Sequence, residues 1–319
     1  MYERNMDDVL RNAIKIIQHT VFTLAMVLAL LLSQDVNAGR DEAAAAYDRG
    51  DYATAFKELK RLADKGDIEA RTMVGFMFAN GLGVRRNYAQ ALDWYQRAAN
   101  QGDSKAQHNL GVMYENGIGV QQDFTKAASL YEKAAAKGDI SATSNLGLLY
   151  IHGQGVNKDL AKGVSLLRRA ADQGDAKAQT NLGMAFIYGT GLPVDKTTGF
   201  TWLKKAAMQS EPDAMFNLGA AYEFGEGTQK NPADAVAWYK KAAEQGHANA
   251  QYNLGLMLSK GAGTAPDLPR AYMWLSLAAD HGDGQAKAKR DYLASRLSSA
   301  QIAEGQRLAI EWKRQHVVR

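Results

Sequence analysis

One glycine recurs every 36 residues along most of this chain, at Gly75, Gly111, Gly147, Gly183, Gly219 and Gly255. Such a period restricts the fold to architectures built by stacking one supersecondary unit. The surrounding residues keep the same register. Asn-Leu-Gly occurs at 109–111, 145–147, 181–183, 217–219 and 253–255. A pair of glycines follows each unit's first half, as in Gly117 and Gly119 or Gly225 and Gly227. A twin alanine follows in turn, from Ala98-Ala99 to Ala278-Ala279. Six full units result.

Each unit reads as two helices. In the second unit Ala106, Leu110 and Tyr114 share one helix face, and Gly117-Ile118-Gly119 ends that helix. Ala127, Tyr131, Ala134 and Ala135 form the stripe of the next helix, and Gly138-Asp139 closes the unit. Glycine suits the left-handed position after a helix, and aspartate caps the amides of the following one. Ser210-Glu211-Pro212-Asp213 departs from this joint by placing proline in the first helical turn. A glycine inside a helix costs about 1 kcal/mol relative to alanine. Its recurrence predicts close approach of the second helix, with Tyr95, Tyr131 and Tyr239, or Leu167, Leu203 and Leu275, filling the space beside it.

The ends differ from the repeats. Ala43–Arg49 and Tyr52–Lys65 predict a shorter helix pair, 39–66, turning at Gly50-Asp51. Residues 283–319 predict two capping helices, Gly284–Leu297 and Ser299–Gln315. Ser298 and Gln301 would form a capping box on the last of these, and Ile302, Ala309 and Trp312 its apolar face.

The first 38 residues read as a cleavable secretory signal. Arg4, Arg11 and Lys15 precede an apolar run of 12 residues, Val21 to Leu32, and Val36-Asn37-Ala38 suits a signal peptidase. A membrane span needs about 20 residues, so no stable span is expected after cleavage, and the expected location is periplasmic or secreted. An uncleaved anchor and an amphipathic first helix are the other readings of this segment.

The pattern of alanine, Asn-Leu-Gly, tyrosine, Gly-x-Gly, Ala-Ala and Gly-Asp resembles the Sel-1-like repeat, a relative of the tetratricopeptide repeat. The resemblance covers 67–282, with a related pair before it. Departures are local: Val74 precedes Gly75 without an asparagine two places back, Leu258 replaces a tyrosine, and Gly163 and Gly199 replace alanines. The resemblance implies an all-α, right-handed α-solenoid of stacked antiparallel helix pairs with a groove lined by first helices. It implies a non-catalytic scaffold or adaptor with a protein partner, in envelope signalling or assembly. The chain has no cysteine, so the β-lactam binding linked to a cysteine-rich branch of the family does not carry over.

If helix faces follow the tetratricopeptide relatives, the groove takes the residue three before each glycine and those four and five after it. The first set is Thr72, His108, Ser144, Thr180, Phe216 and Tyr252, and the second includes Glu115, Ile151, Tyr188, Glu223 and Phe224. From these, His108, Glu115, Tyr188, Phe216, Glu223, Phe224 and Tyr252 form the predicted partner-binding surface. Aromatic anchors ringed by polar groups suit interaction hot spots. The same rings could instead seal neighbouring helices.

Two further ladders allow two readings each. Asn109, Asn145, Asn181, Asn217 and Asn253 could hold an extended peptide, or satisfy backbone groups at the neighbouring turn; their invariance favours the second reading. Arg61, Arg97, Lys133, Arg169, Lys205 and Lys241 could attract an anionic polysaccharide or lipid head groups. They also suit helix C-termini, with Asp64, Asp172 and Glu244 three residues beyond three of them. That helix-end reading is favoured, and a binder of envelope polysaccharide or peptidoglycan fragments is the alternative function.

Catalytic patterns are lacking. There is no His-Glu-x-x-His, Gly-x-Ser-x-Gly, Ser-x-x-Lys or phosphate-loop motif, so an uncharacterised hydrolase is the least favoured reading. The Gly-x-Gly pairs follow helices and lack a third glycine, which makes them turns. The six histidines show no i, i+4 pair. No metal or other cofactor is expected. A net charge of +4 without long basic runs gives no reason to expect nucleic acid.

Overall fold

The structure, a computed structural model, describes residues 37–316. Residues 1–36 of the predicted signal segment lie outside the described residues; Asn37 and Ala38 are exposed and helical. The described residues form sixteen helices and no strand, an all-α solenoid of helix pairs. The described residues divide into two compact units between Lys137 and Gly138.

The first unit holds α1 (37–48), α2 (Tyr52–Asp64), α3 (Ile68–Asn80), α4 (Tyr88–Asn100), α5 (Ser104–Asn116) and α6 (Phe124–Ala136). The second holds α7 (Ile140–His152), α8 (Leu160–Asp172), α9 (Ala176–Tyr188), α10 (Lys196–Met208), α11 (Pro212–Phe224), α12 (Pro232–Glu244), α13 (Ala248–Lys260), α14 (Leu268–Asp280), α15 (Gly284–Ala294) and α16 (Ser299–His316). Within each unit a helix packs mainly on its neighbours in sequence, while α16 returns to lie on α14. Stability of such a stack is carried by nearest-neighbour interfaces.

Every repeat helix has 13 residues, its start fixed by a capping side chain and its end by the backbone of the C-cap. The first helices start at acidic caps: Asp103 accepts from the Ala106 amide at 2.6 Å, and Glu211 from the Ala214 amide at 2.9 Å. Glu211 therefore caps the helix while Pro212 opens it. His247 replaces the acid in the sixth repeat, with its Nδ1 accepting from the Ala250 amide at 3.1 Å. The second helices carry their own caps, Asn87, Asp123, Asp159, Asp195, Asn231 and Asp267. First helices end on left-handed glycines such as Gly117, at φ 66°. The cap residue then donates its amide back to the preceding helix, Asp123 to the Tyr114 carbonyl at 2.9 Å and Asn231 to Tyr222 at 2.8 Å.

The second glycine of five pairs, at 83, 119, 191, 227 and 263, has a tertiary role. At Gly191, φ is +71° and a methyl group would lie 2.7 Å from the carbonyl of Leu160, the first residue of α8. The turn of one repeat thus presses its backbone against the start of the preceding repeat's second helix.

The C-terminal segment forms α15 and α16. Ser298 accepts from the Gln301 amide at 3.2 Å, and Gln301 accepts from the Ser298 amide at 3.0 Å, closing the capping box. Ala309 is buried and Trp312 packs on the core. However, α15 stops at Ala294 instead of Leu297. Arg296 and Leu297 donate to Leu293 and Ala294, three residues back, which tightens the last turn out of α geometry.

Candidate functional site

The interior between the paired helices decides what the groove face can present. The recurring glycines of the first helices receive a side chain from the second. A methyl group at Gly75, Gly111 or Gly219 would lie 2.8, 2.6 or 2.7 Å from the ring of Tyr95, Tyr131 or Tyr239. In the third and fourth repeats leucine takes the tyrosine's place, and the second helix brings its own glycine. A methyl group at Gly163 would lie 2.7 Å from the Gly147 carbonyl and 2.6 Å from Ile151. Gly199 stands in the same relation to Gly183 and Ile187. Glycine at 163 and 199, leucine at 167 and 203, and isoleucine at 151 and 187 therefore form one packing solution. Alanine with tyrosine forms a second, to which Glu115 and Glu223 belong, and the sixth repeat sets Ala271 with Leu275 against Gly255.

Glu115 accepts from the Tyr131 hydroxyl at 2.5 Å, and Glu223 from the Tyr239 hydroxyl at 2.8 Å. Tyr131 and Tyr239 rings are fully buried. The Asn109 amide meets the Tyr95 hydroxyl, and the Asn253 amide meets that of Tyr239. These two asparagines thus satisfy a tyrosine of the preceding repeat, where backbone groups of a turn had been the expectation. Burial pushes the Tyr95 and Tyr239 hydroxyls well above the ordinary tyrosine range, and for Tyr239 the Glu223 carboxylate adds to the shift.

The five other predicted groove residues divide into two kinds. His108 lies against Tyr131, with centroids 5.8 Å apart, and is half-buried. Phe216 is half-buried between Tyr239 and His247, stacked on the imidazole at 4.7 Å and 20°. By contrast, Tyr188 and Phe224 are 66% and 67% exposed. They are the last residues of α9 and α11, in equivalent positions of neighbouring repeats. Tyr252 is half-buried, and Thr72, Ser144 and Thr180 are buried.

Sequence reasoning ended this row of exposed positions at Phe224. In the structure the same register continues to Lys260, the last residue of α13, and to Arg296 beyond α15. The signal available was the 36-residue spacing itself, which links 188, 224, 260 and 296.

The basic ladder has internal partners. Lys205 lies over the Trp202 ring at 4.2 Å, Lys241 over Trp238 at 4.0 Å, and Arg97 over Trp94 at 4.8 Å. Arg169 donates to the Thr143 hydroxyl at 3.1 Å. The expected i, i+3 neutralisation does not occur at two positions. Asp64 pairs with Lys60, and Glu244 with Lys240, because the i, i+4 partner is in reach. Arg61 takes Glu58 instead, at 2.9 Å. Among the described residues no three His, Asp or Glu side chains come together as a metal site, and no helix is long and apolar enough to cross a membrane. His247 Nε2 lies 3.1 Å from Asp213.

Stacked helix pairs with an exposed, variable face define a helical-repeat scaffold. Sel1 repeats match residues 68–103, 104–139, 140–175, 176–211, 212–247 and 248–283, and the chain belongs to the Sel1 repeat family. It is similar to the crystal structure of a Sel1 repeat protein from Oxalobacter formigenes, with 28% identity and a TM-score of 0.68, covering 76% of this chain and 96% of that one. It is also similar to c5321, a protective antigen of uropathogenic Escherichia coli displaying an SLR fold. Identity there is 32% and the TM-score 0.61; the match covers 89% of this chain but only 60% of the antigen. No curated protein shows a significant match. Sel1 repeat proteins are generally protein-interaction scaffolds and generally non-enzymatic.

Proposed function

We propose that this chain is a non-catalytic, exported scaffold that binds a protein partner along the first-helix face of its second unit, in envelope signalling or assembly. The observation that carries this reading is the pair of exposed rings, Tyr188 and Phe224, at equivalent positions of adjacent repeats. Large aromatic side chains lose little entropy on binding and bury much area. Their exposure contrasts with Phe216, whose ring is already stacked on His247.

Export rests on the charged, apolar and small-residue layout of residues 1–38, which places the working protein in the periplasm or outside the cell. Anionic polysaccharide is the alternative ligand. It is less favoured because three cations of the basic ladder lie over tryptophan faces, which leaves those faces covered.

The test pairs localisation with binding. Fractionation should place the protein outside the cytoplasm, shortened by the first 38 residues. Crosslinking from envelope extract should capture a specific protein that a Tyr188→Ala/Phe224→Ala variant with unchanged melting no longer captures. Equal capture by the variant rules out this face. Retention of saccharide fragments instead of protein moves the function to the polysaccharide reading.

A further inference from the structure

A cavity of about 500 Å³ opens near the C-terminal end of the second unit, between α13, α14 and the α15 segment. Five leucines, Leu275 and Leu293 among them, give it an apolar floor. Lys260, Lys289 and Arg296 bring three cations to its wall, and no carboxylate lines it. The two acids adjacent in sequence to its lining, Asp267 and Asp291, are held by Arg270 and Arg290, each at 2.7 Å. Arg296 donates to the Tyr292 hydroxyl oxygen at 3.2 Å, so the tyrosine's own proton is left to donate to an incoming acceptor. Tyr292 is 63% exposed. An apolar floor with convergent donors of one charge sign is the chemistry of a site for an anion with an apolar body.

The position of this cavity in the repeat narrows the ligand. Lys260 and Arg296 occupy the register that Tyr188 and Phe224 occupy in earlier repeats. Along the second unit that register therefore runs from two exposed aromatic rings to two cations. A polypeptide end matches both parts, since it carries side chains along its length and one carboxylate at its terminus.

We propose that this cavity receives the C-terminal carboxylate of a peptide whose last side chains are apolar, with the residues before them lying toward Phe224 and Tyr188. The proposal rests on the reading of the first-helix face as a protein-binding surface. Lys260, Lys289, Arg296 and the Tyr292 hydroxyl supply the donors to the carboxylate, and the leucines take the terminal side chain. Charge-assisted bonds of this kind are about twice as strong as neutral ones.

Calorimetric titration of the intact chain decides it, with acetyl-Phe-Leu-Leu as free acid, the same peptide as its C-terminal amide, and decanoate. The acid should bind, the amide about tenfold or more weakly. Lys260→Glu and Arg296→Glu should each weaken the acid by a similar factor while leaving the melting curve unchanged. Equal affinity for acid and amide, or no binding of the acid up to about 10 mM, overturns the proposal. So does decanoate binding more tightly than the peptide acid, which would assign the site to a free aliphatic anion. If the acid fails while Tyr188→Ala/Phe224→Ala still releases a captured protein, the groove reading stands and only the terminal-carboxylate site falls.

Discussion

The hydroxyl of Tyr239 donates to Glu223 at 2.8 Å from inside the α11–α12 interface, and the ring that carries it lies against Gly219. A carboxylate that the repeat pattern places on the groove face is thus also the acceptor of a buried tyrosine. The Asn253 amide of the next repeat reaches the same hydroxyl. Groove surface and repeat stacking share one set of polar atoms here.

Removing that hydroxyl should destabilise the fold. Tyr239→Phe leaves Glu223 and Asn253 without a partner at a half-buried site, a cost of about 1–3 kcal/mol. Urea unfolding of Tyr239→Phe, Glu223→Leu and the double variant should show coupling between the two residues of about 0.5 kcal/mol or more. Strict additivity would mean that the bond contributes nothing to stability.

Replacing Gly163 by the alanine found at most equivalent positions should destabilise the chain, although alanine is the better helix former. The new methyl group would lie 2.7 Å from the Gly147 carbonyl, and that backbone has no way to yield without moving α7 from α8. Overpacking of this kind costs about 1–3 kcal/mol, against about 1 kcal/mol gained in propensity. The triple change Gly163→Ala/Leu167→Tyr/Ile151→Glu should recover part of the loss by converting the interface to the tyrosine type. A single Gly163→Ala variant more stable than the parent would refute this packing account.

Alkaline stability should depend on the buried tyrosines. Burial raises the hydroxyls of Tyr95 and Tyr239 above their ordinary value of 10.0. The unfolded chain loses these protons near 10.0 while the folded chain keeps them. Their contribution is therefore complete below pH 10 and declines as pH rises through the folded values. Denaturation midpoints measured across this range should fall for the parent and fall less steeply for Tyr95→Phe/Tyr239→Phe. Parallel curves would show that other groups set the alkaline limit.

The caps also join one repeat to the next. Asp103 accepts from the Ala106 amide that it caps and from the Thr72 hydroxyl, at 3.0 Å, in the preceding repeat. Asp103→Ala should cost about 1–2 kcal/mol. Thr72→Val should cost less, since the cap itself remains. The order of the two unfolding midpoints checks the assignment.

Much of this protein could be read from the chain alone. The fixed spacing of Gly75, Gly111 and their successors, with polar caps and left-handed glycines between apolar stripes, determined the helix pairs, their lengths and the tyrosine or leucine that fills each glycine. Those features are local or strictly periodic, so they register in sequence. Tertiary structure decided the partners of side chains that the period leaves equivalent. It placed Phe216 on His247 while leaving Phe224 exposed, and it brought Lys260 and Arg296 to one cavity with Lys289, which lies outside their register. It also gave Asn109 and Asn253 their tyrosine hydroxyls. These outcomes depend on how neighbouring helices approach one another, and that approach is set by packed volume between them rather than by the order of residues within either.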